Sequence, residues 1–583
     1  MQGTVQVEET LPVHEEVPVE LSVAEIPAID SLCAWLDEEE AGRLVETNVR
    51  FDTERFTIGA SVKLPRLQVF CPKGEPQALH FTSDLELPPT ASSIRSMNFI
   101  NYNLNQCLHG HSDCGRYQTE MKPGINDNWP RRMLVIDTAA ATIRLADFEH
   151  SMRSKFVALS YCWGCESGHL IATKRTLPEL RAGTAISQLP ATLRDAVMVT
   201  VNLGSNLIWI DSLCIIQDDE NDWNEEAGKM STVYAQSLVT VIASSAGTCG
   251  DGFLSVQREQ SMELSKVRIN DRFTEVRART LYDWGHHRGG PQSNDTARRQ
   301  WLDPVDGRGW TLQERMLSAR YINFTSGEVQ WGCLSSRACE CGQSLYGTLF
   351  EKLTPEEEWF SIVEEYCSRN LTKATDKLTA LAGISRKMSL DLSWEWYGAG
   401  VWLCQKMTPF TARGLLWRRG LKSPMTSFSE GYIAPTFSWA ALAGEAIHFP
   451  QEKFTQCTYP SEVVGVDMRL HTTDKFGRVK AGYLCMRGPL AKAELSWDAS
   501  AIHDDLTVGI KIIGVDDSYH HTCRIDGLLE PVSLDQGRIT VRRRVAGCVD
   551  AGQDLEGVAI CLLPIITYEL TYSTGNNGGP YSG

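Results

Sequence analysis

Apolar runs and amphipathic stretches alternate through the middle of the chain. Phe156-Val-Ala-Leu-Ser160 is a short continuous apolar run that ends in the loop Tyr161-Cys-Trp-Gly164, so it predicts a buried strand. Pro190 opens a stretch with Leu193, Val197 and Val201 at i, i+4 and i+8, which predicts an amphipathic helix ending near Gly204. Leu207-Ile-Trp-Ile210 predicts a second strand, stopping at Asp211. Asn221 is placed to cap another helix, with Trp223, Ala227, Met230 and Tyr234 on one face. Leu238-Val-Thr-Val-Ile-Ala243 reads as a third strand. Strands alternating with helices imply right-handed crossovers and a parallel sheet. The fold class is therefore α/β, with a small flavodoxin-like parallel sheet as its core.

The pattern changes on either side. Residues 1–28 carry Glu8, Glu9, Glu15, Glu16, Glu20 and Glu25 without Lys or Arg, which predicts a flexible acidic tail. Residues 29–150 read as a flanking region of short strand-like pieces, such as Leu134–Asp137 and Ile143–Leu145. The main unit is expected at 151–335, densest over 155–318, with a polar insertion or hairpin excursion at 250–300. Helical spacing resumes at Trp310-Thr-Leu-Gln-Glu-Arg-Met-Leu317, followed by strands at Tyr321–Phe324 and Glu328–Trp331 turned at Ser326-Gly327. Residues 336–425 are expected to be helical, with Trp359, Ile362, Val363 and Tyr366 at helical spacing. Residues 426–575 alternate as a β-rich portion, and the glycine-rich end 576–583 is expected to fray.

Composition narrows the class without altering this outline. The chain has 583 residues, 42% hydrophobic and 22% charged, which are ordinary globular values. The net charge of −17 argues against gripping nucleic acid or anionic lipid, because phosphate-dominated binding needs a basic face. No run approaches the ~18 apolar residues of a membrane span, and no secretory signal pattern opens the chain. Eighteen cysteines are too few in this length for a disulfide scaffold. A cytoplasmic protein with reduced thiols, binding neither nucleic acid nor membrane, is the expectation.

Ligands of open parallel sheets bind beyond the carboxyl ends of the strands. That rule selects two loops. One is Ser160-Tyr161-Cys162-Trp163-Gly164 and the other begins Asp211-Ser212-Leu213-Cys214. Asp211 and Ser212 would otherwise only cap the next turn. Glu314 is a third candidate, sharing a helix face with Trp310 and Leu317. A carboxylate on such a face is either paired, with Arg308, Arg315 or Arg320, or functional. No resident metal or cofactor is expected. The nearest approach to a metal set is Cys107, His111 and Cys114, with Cys71 offering a fourth ligand, but the spacing is not that of a standard finger and simple packing explains it. Cys333, Cys339 and Cys341 form a similar cluster. Cys162 and Cys165 have redox spacing, yet the glycines after them do not open a helix as such motifs do.

Three blocks resemble the fungal heterokaryon incompatibility (HET) domain family. They are Phe156-Val-Ala-Leu-Ser-Tyr-Cys-Trp-Gly164, Leu207-Ile-Trp-Ile-Asp-Ser-Leu-Cys-Ile-Ile-Gln-Asp-Asp219 continuing through Asp222, Trp223, Glu226, Met230 and Tyr234, and Arg308-Gly-Trp-Thr-Leu-Gln-Glu-Arg-Met-Leu-Ser318. The resemblance implies self/non-self recognition and cell-death signalling inside a fungal cell. The family's core in turn looks like a remote relative of TIR domains, some of which cleave NAD at the nicotinamide–ribose bond. Trp310-Thr-Leu-Gln-Glu314 has the spacing of the TIR glutamate helix, with Thr311 in place of cysteine.

That second resemblance implies Glu314 as the catalytic carboxylate and NAD as substrate. Ser160, Tyr161, Trp163, Gly164, Asp211, Ser212 and Trp310 would bind it, Trp163 by stacking on a ring and Asp211 by holding a ribose hydroxyl or orienting the first loop. The mechanism requires an ionised Glu314, hence a pKa not far above 7. The alternative is a non-enzymatic domain that oligomerises or meets an incompatibility partner, with Glu314 in a structural ion pair.

Overall fold

The computed structural model describes residues 86–488, except 122–128, 150–151, 153–155, 165–169, 259, 270–271, 282–302, 343–353, 392–393, 420–431, 443–446 and 451–460. Outside that span it describes only the backbone of short strands. Most of the expected tails, and Cys165, therefore lie outside the described residues. One strand, Glu20–Ser22, falls within the stretch expected to be a flexible tail, pairing antiparallel with Asn48–Asp52. Backbone pairing does not require apolar side chains.

Two helices come first, α1 (Ile94–Gly110) and α2 (Ser112–Glu120). They correct the expectation that this flank is made only of strand-like pieces. Ser93 starts α1 by accepting the Ser96 N–H, and Ile100, Leu104 and Cys107 form its buried stripe. The central unit follows as β1 (Arg132–Asp137), β2 (Thr142–Asp147), β3 (Val157–Ser160), α3 (Leu177–Ala182), β4 (Thr184–Ala185), α4 (Ala191–Asn202), β5 (Leu207–Trp209), α5 (Asp211–Cys214), α6 (Glu220–Gln236) and β6 (Val239–Ile242). After the excursion come α7 (Gly309–Leu317), β7 (Arg320–Phe324), β8 (Val329–Cys333) and β9 (Arg337–Cys339).

These nine strands form one sheet in the order β9-β8-β7-β6-β3-β5-β1-β2-β4. Its centre, β7-β6-β3-β5, is parallel, with Ile208 beside Val157, Val239 beside Val157 and Thr240 beside Tyr321. Numbering those four by chain order gives 2-1-3-4, the flavodoxin-like arrangement. Antiparallel strands flank it on both sides; on one side β1 and β2 come from sequence that precedes residue 151, with β4 outermost. β3 and β6 are buried along their whole length, as continuous apolar runs require.

Two helix details differ from expectation. Asp219, not Asn221, caps α6, accepting the N–H groups of Asn221 and Asp222. Asn221 already lies inside the first turn. On α4, Leu193 and Val197 are buried but Val201 is 39% exposed, because the 3.6-residue period rotates position i+8 out of a narrow stripe near the helix end.

The excursion at 250–300 contains the antiparallel pair Met262–Ile269 and Arg272–Leu281, which also pairs with Arg66–Pro72. The region expected to be helical has α8 (Pro355–Cys367) and α9 (Ala382–Asp391), then a hairpin of β10 (Trp396–Gly398) and β11 (Val401–Leu403), then α10 (Pro409–Leu415). The hairpin was not anticipated. Ala399 and Gly400 turn it with positive φ, and Trp402 stacks on Trp394 at 4.3 Å and meets Trp359 edge-on. In the β-rich C-terminal portion a short strand at Ile447–His448 pairs with Arg418–Arg419, and β12 (Glu462–Leu470) and β13 (Val479–Arg487) form an antiparallel pair. One continuous apolar core links the sheet to this aromatic cluster. No helix among the described residues is long and apolar enough to cross a membrane.

Candidate active site

In a 2-1-3-4 sheet the strand order reverses between the first and third strands, here β3 and β6. Ligands of such sheets bind at that reversal point, beyond the carboxyl ends of the strands. Ser160 is the last residue of β3, and its carbonyl accepts the Ala243 N–H just after β6 (2.9 Å). The following loop is pinned further by the Cys249 N–H on the Trp163 carbonyl (3.2 Å). Gly164 takes φ +83°, and a Cβ there would stand 2.7 Å from Thr248 Cβ. Only glycine meets both conditions without strain.

The second predicted loop converges on the first. Tyr161 Oη donates to Ser212 Oγ at 2.7 Å, and Trp163 Nε1 donates to Asp211 Oδ2 at 2.9 Å and Oδ1 at 3.2 Å. Asp211 also accepts the Ser212 N–H at 2.7 Å. Asp211 therefore orients the Trp163 ring and ties it to the Ser212 backbone. Burial pushes its carboxyl above the usual range, while Arg308, the Ser212 N–H and Trp163 pull it back. Behind this loop, Arg132 donates to the Cys214 carbonyl (2.7 Å) and pairs with Asp222, which also accepts the Ile216 N–H (2.8 Å). A buried ion pair thus holds the Asp211 segment from beneath.

Glu314 sits on α7 and is only 3% exposed. No ion pair to it is found among the described residues. Arg315 instead binds Glu365 (3.2 Å), and Arg320 binds Cys107 Sγ (3.1 Å) and Gln118 (3.0 Å). Arg308 donates to the Tyr161 carbonyl and acts on Glu314 and Asp211 through space. Burial, reinforced by the negative charge of Asp211, raises the Glu314 pKa to about 7. Arg308 and the hydroxyls of Ser160 and Tyr234 oppose that rise. Ser160 Oγ is buried and has no hydrogen bond of good geometry, though it stands close enough to favour the ionised carboxylate. Tyr234 Oη, whose single proton is shared between claims, bonds the Leu159 carbonyl at 3.1 Å.

These loops and α7 belong to one block of sequence. Residues 156–314 match the model of the heterokaryon incompatibility protein (HET) family, the match ending on Glu314 itself. The chain carries a HET domain. The match supports a role related to heterokaryon incompatibility. No curated protein matches the chain, and no solved structure does.

Within the HET domain the structure brings together Ser160, Tyr161, Trp163, Gly164, Asp211, Ser212 and Glu314. Trp310 is different. Its ring meets Trp223 of α6 edge-on at 6.3 Å, and Asp376 accepts from it. Thr311, in the cysteine position of the TIR pattern, donates to the carbonyls of Val305 (2.7 Å) and Arg308 (2.9 Å) and so fixes the start of α7. Cys162 packs on Ile242 and Val305, and burial pushes its thiol up to about 11, a protonated and unreactive state. Two further residues belong to the site. Arg308 is a cation beside both carboxylates, and Tyr234 reaches the site from the buried face of α6. The sequence places Tyr234 only on an apolar helix face, because a phenol at a core position looks like packing until its hydroxyl is located.

Proposed function

We propose that the HET domain binds a nicotinamide dinucleotide at the β3/β6 reversal point and hydrolyses its nicotinamide–ribose bond, as part of cell-death signalling in the cytoplasm of a fungal cell. The observation that carries this reading is the Glu314 carboxyl. It is buried, with no ion pair among the described residues, beside Ser160 Oγ, at the reversal point of the sheet. Leaving a carboxylate in such a place costs stability, and structures retain that cost mainly where the group works.

The chemistry asks little of the protein. The C1′–N bond breaks, its electron pair goes to the departing nicotinamide, and that ring leaves neutral. Positive charge develops on the ribose as in other glycosidic cleavages. Glu314, ionised, stabilises that charge at close range in a low-dielectric site. Water supplies the new oxygen at C1′ and releases one proton. Trp163 offers an aromatic face, held by Asp211, and Arg308 supplies a cation for phosphate.

The test is NAD consumption by purified full-length protein beside Glu314→Ala, run over a range of concentrations. Loss of turnover in the variant, at every concentration where the parent is active, is expected. Equal NAD loss by both proteins would remove Glu314 from the mechanism. No turnover by the parent at any concentration would leave the interaction domain as the better reading.

A further inference from the structure

Cys107, His111 and Cys114 do not stand alone in the fold. Cys107 and His111 are one turn apart at the end of α1, so their side chains share a face. His111 breaks the helix with φ −110° and ψ 94°, and the chain restarts as α2, which carries Cys114 back to the same point. The fourth member is Cys333, at the end of β8, more than 200 positions later in the chain. The side chain of Cys71, the fourth ligand suggested by sequence, lies outside the described residues. One ligand atom from each of Cys107, His111, Cys114 and Cys333 lies within 4.8 Å of all the others, and Cys333 Sγ is 3.4 Å from His111 Nδ1. Ligands around a tetrahedral zinc ion, with Zn–S near 2.3 Å, stand about 3.8 Å apart.

A second observation points the same way. Arg320 is 3% exposed and forms no ion pair with a carboxylate among the described residues. Its Nε instead donates to Cys107 Sγ at 3.1 Å. A buried guanidinium without a counter-charge is costly. Three thiolates and one imidazole around Zn²⁺ carry a net charge of −1, which Arg320 neutralises. The Ser336 N–H also donates to Cys333 Sγ (3.2 Å), an outer contact of the kind that orients a metal-bound thiolate.

We propose that Cys107, His111, Cys114 and Cys333 bind one zinc ion that clamps the α1–α2 unit to the β8 edge of the sheet. The site is closed by four protein ligands, so its role is structural. It ties the ends of a long loop, and α2 reaches the active-site helix directly, since Tyr117 Oη donates to the Leu317 carbonyl at the end of α7 (2.9 Å). Cys339 and Cys341 separate from Cys333 in the fold and gather around Glu328 as a three-residue group.

The test uses full-length protein purified without added metal. Elemental analysis should find about one zinc per chain, and X-ray absorption at the zinc edge should give three sulfurs at about 2.3 Å and one nitrogen at about 2.0–2.1 Å. Cys114→Ser and Cys333→Ser should each lose most of the zinc, while the double variant Cys339→Ser, Cys341→Ser should keep it. Protein without zinc would overturn the proposal. So would a four-sulfur or all-nitrogen shell, or zinc lost only from the Cys339, Cys341 variant. The absorption measurement needs no variant, so misfolding of a serine mutant does not blunt it.

Discussion

The indole N–H of Trp163 is shared between the two carboxylate oxygens of Asp211, at 2.9 and 3.2 Å. This joins the loop after β3 to the loop after β5. A hydrogen bond to a charged, desolvated group is worth about 1.5–3 kcal/mol. Trp163→Phe and Asp211→Asn should each destabilise the domain by roughly 1–2 kcal/mol. The double variant should cost less than their sum, with a coupling of about 1 kcal/mol or more. Denaturant titration of the four proteins checks it, and strict additivity would mean that the bond carries no energy.

Glu314 should trade stability for function. Its pKa is about 7 in the fold against an ordinary 4.5. Below pH 4.5 both folded and unfolded states hold the proton. Between 4.5 and 7 the folded state keeps a proton that the unfolded chain has released, so stability falls as pH rises through that window. The loss totals about 3 kcal/mol. Glu314→Gln cannot ionise, so it should be more stable than the parent above pH 7, by at most that amount, and should lack NAD turnover. Thermal melts of both proteins at pH 5 and pH 8 measure the difference; an equal gap at both values would show that ionisation is not its cause.

The same group sets a pH profile for activity. If the ionised carboxylate does the work, turnover should rise through a pKa near 7 and level off above it. The half-maximal point should shift upward in Arg308→Met, because Arg308 favours the charged form. Initial rates of NAD loss between pH 5.5 and 8.5 read this directly, and a profile falling through pH 7 would point to a protonated acid instead.

Gly164→Ala should be costly and resistant to rescue. The backbone sits at φ +83°, which penalises any side chain by about 1–2 kcal/mol. The new methyl would also lie 2.7 Å from Thr248 Cβ. Thr248→Ala keeps that Cβ, so the pair should remain within about 1 kcal/mol of Gly164→Ala alone. Recovery to parental stability in the double variant would show that the hydroxyl and methyl of Thr248, rather than its Cβ, set the limit.

Arg132 and Asp222 are both nearly buried and face each other beneath the Asp211 turn. Asp222→Ala should destabilise by about 3–5 kcal/mol, since it strands a buried guanidinium and frees the Ile216 N–H. Replacing both with Met and Leu should cost much less. Parity between the single and double variants in chemical unfolding would contradict this account.

The sequence alone determined the elements whose signal is local. Continuous apolar runs marked β3, β5 and β6, and strand–helix alternation set the parallel core, because burial on both faces leaves no alternation to read. Strand ends also marked the loops at Ser160 and Asp211, and a carboxylate on an aromatic and aliphatic helix face marked Glu314. Local signal failed where geometry is long-range. Asp219 displaced Asn221 as a cap, Val201 turned to solvent, and Trp310 turned toward Trp223. A one-dimensional period carries neither the exact start of a helix nor the neighbour its edge residues find. Only the tertiary structure could choose among Arg308, Arg315 and Arg320 and leave Glu314 with no ion pair among the described residues, because pairing depends on which elements pack together. The same holds for Cys333, whose distance from Cys107 along the chain hides a separation of a few ångströms in the fold.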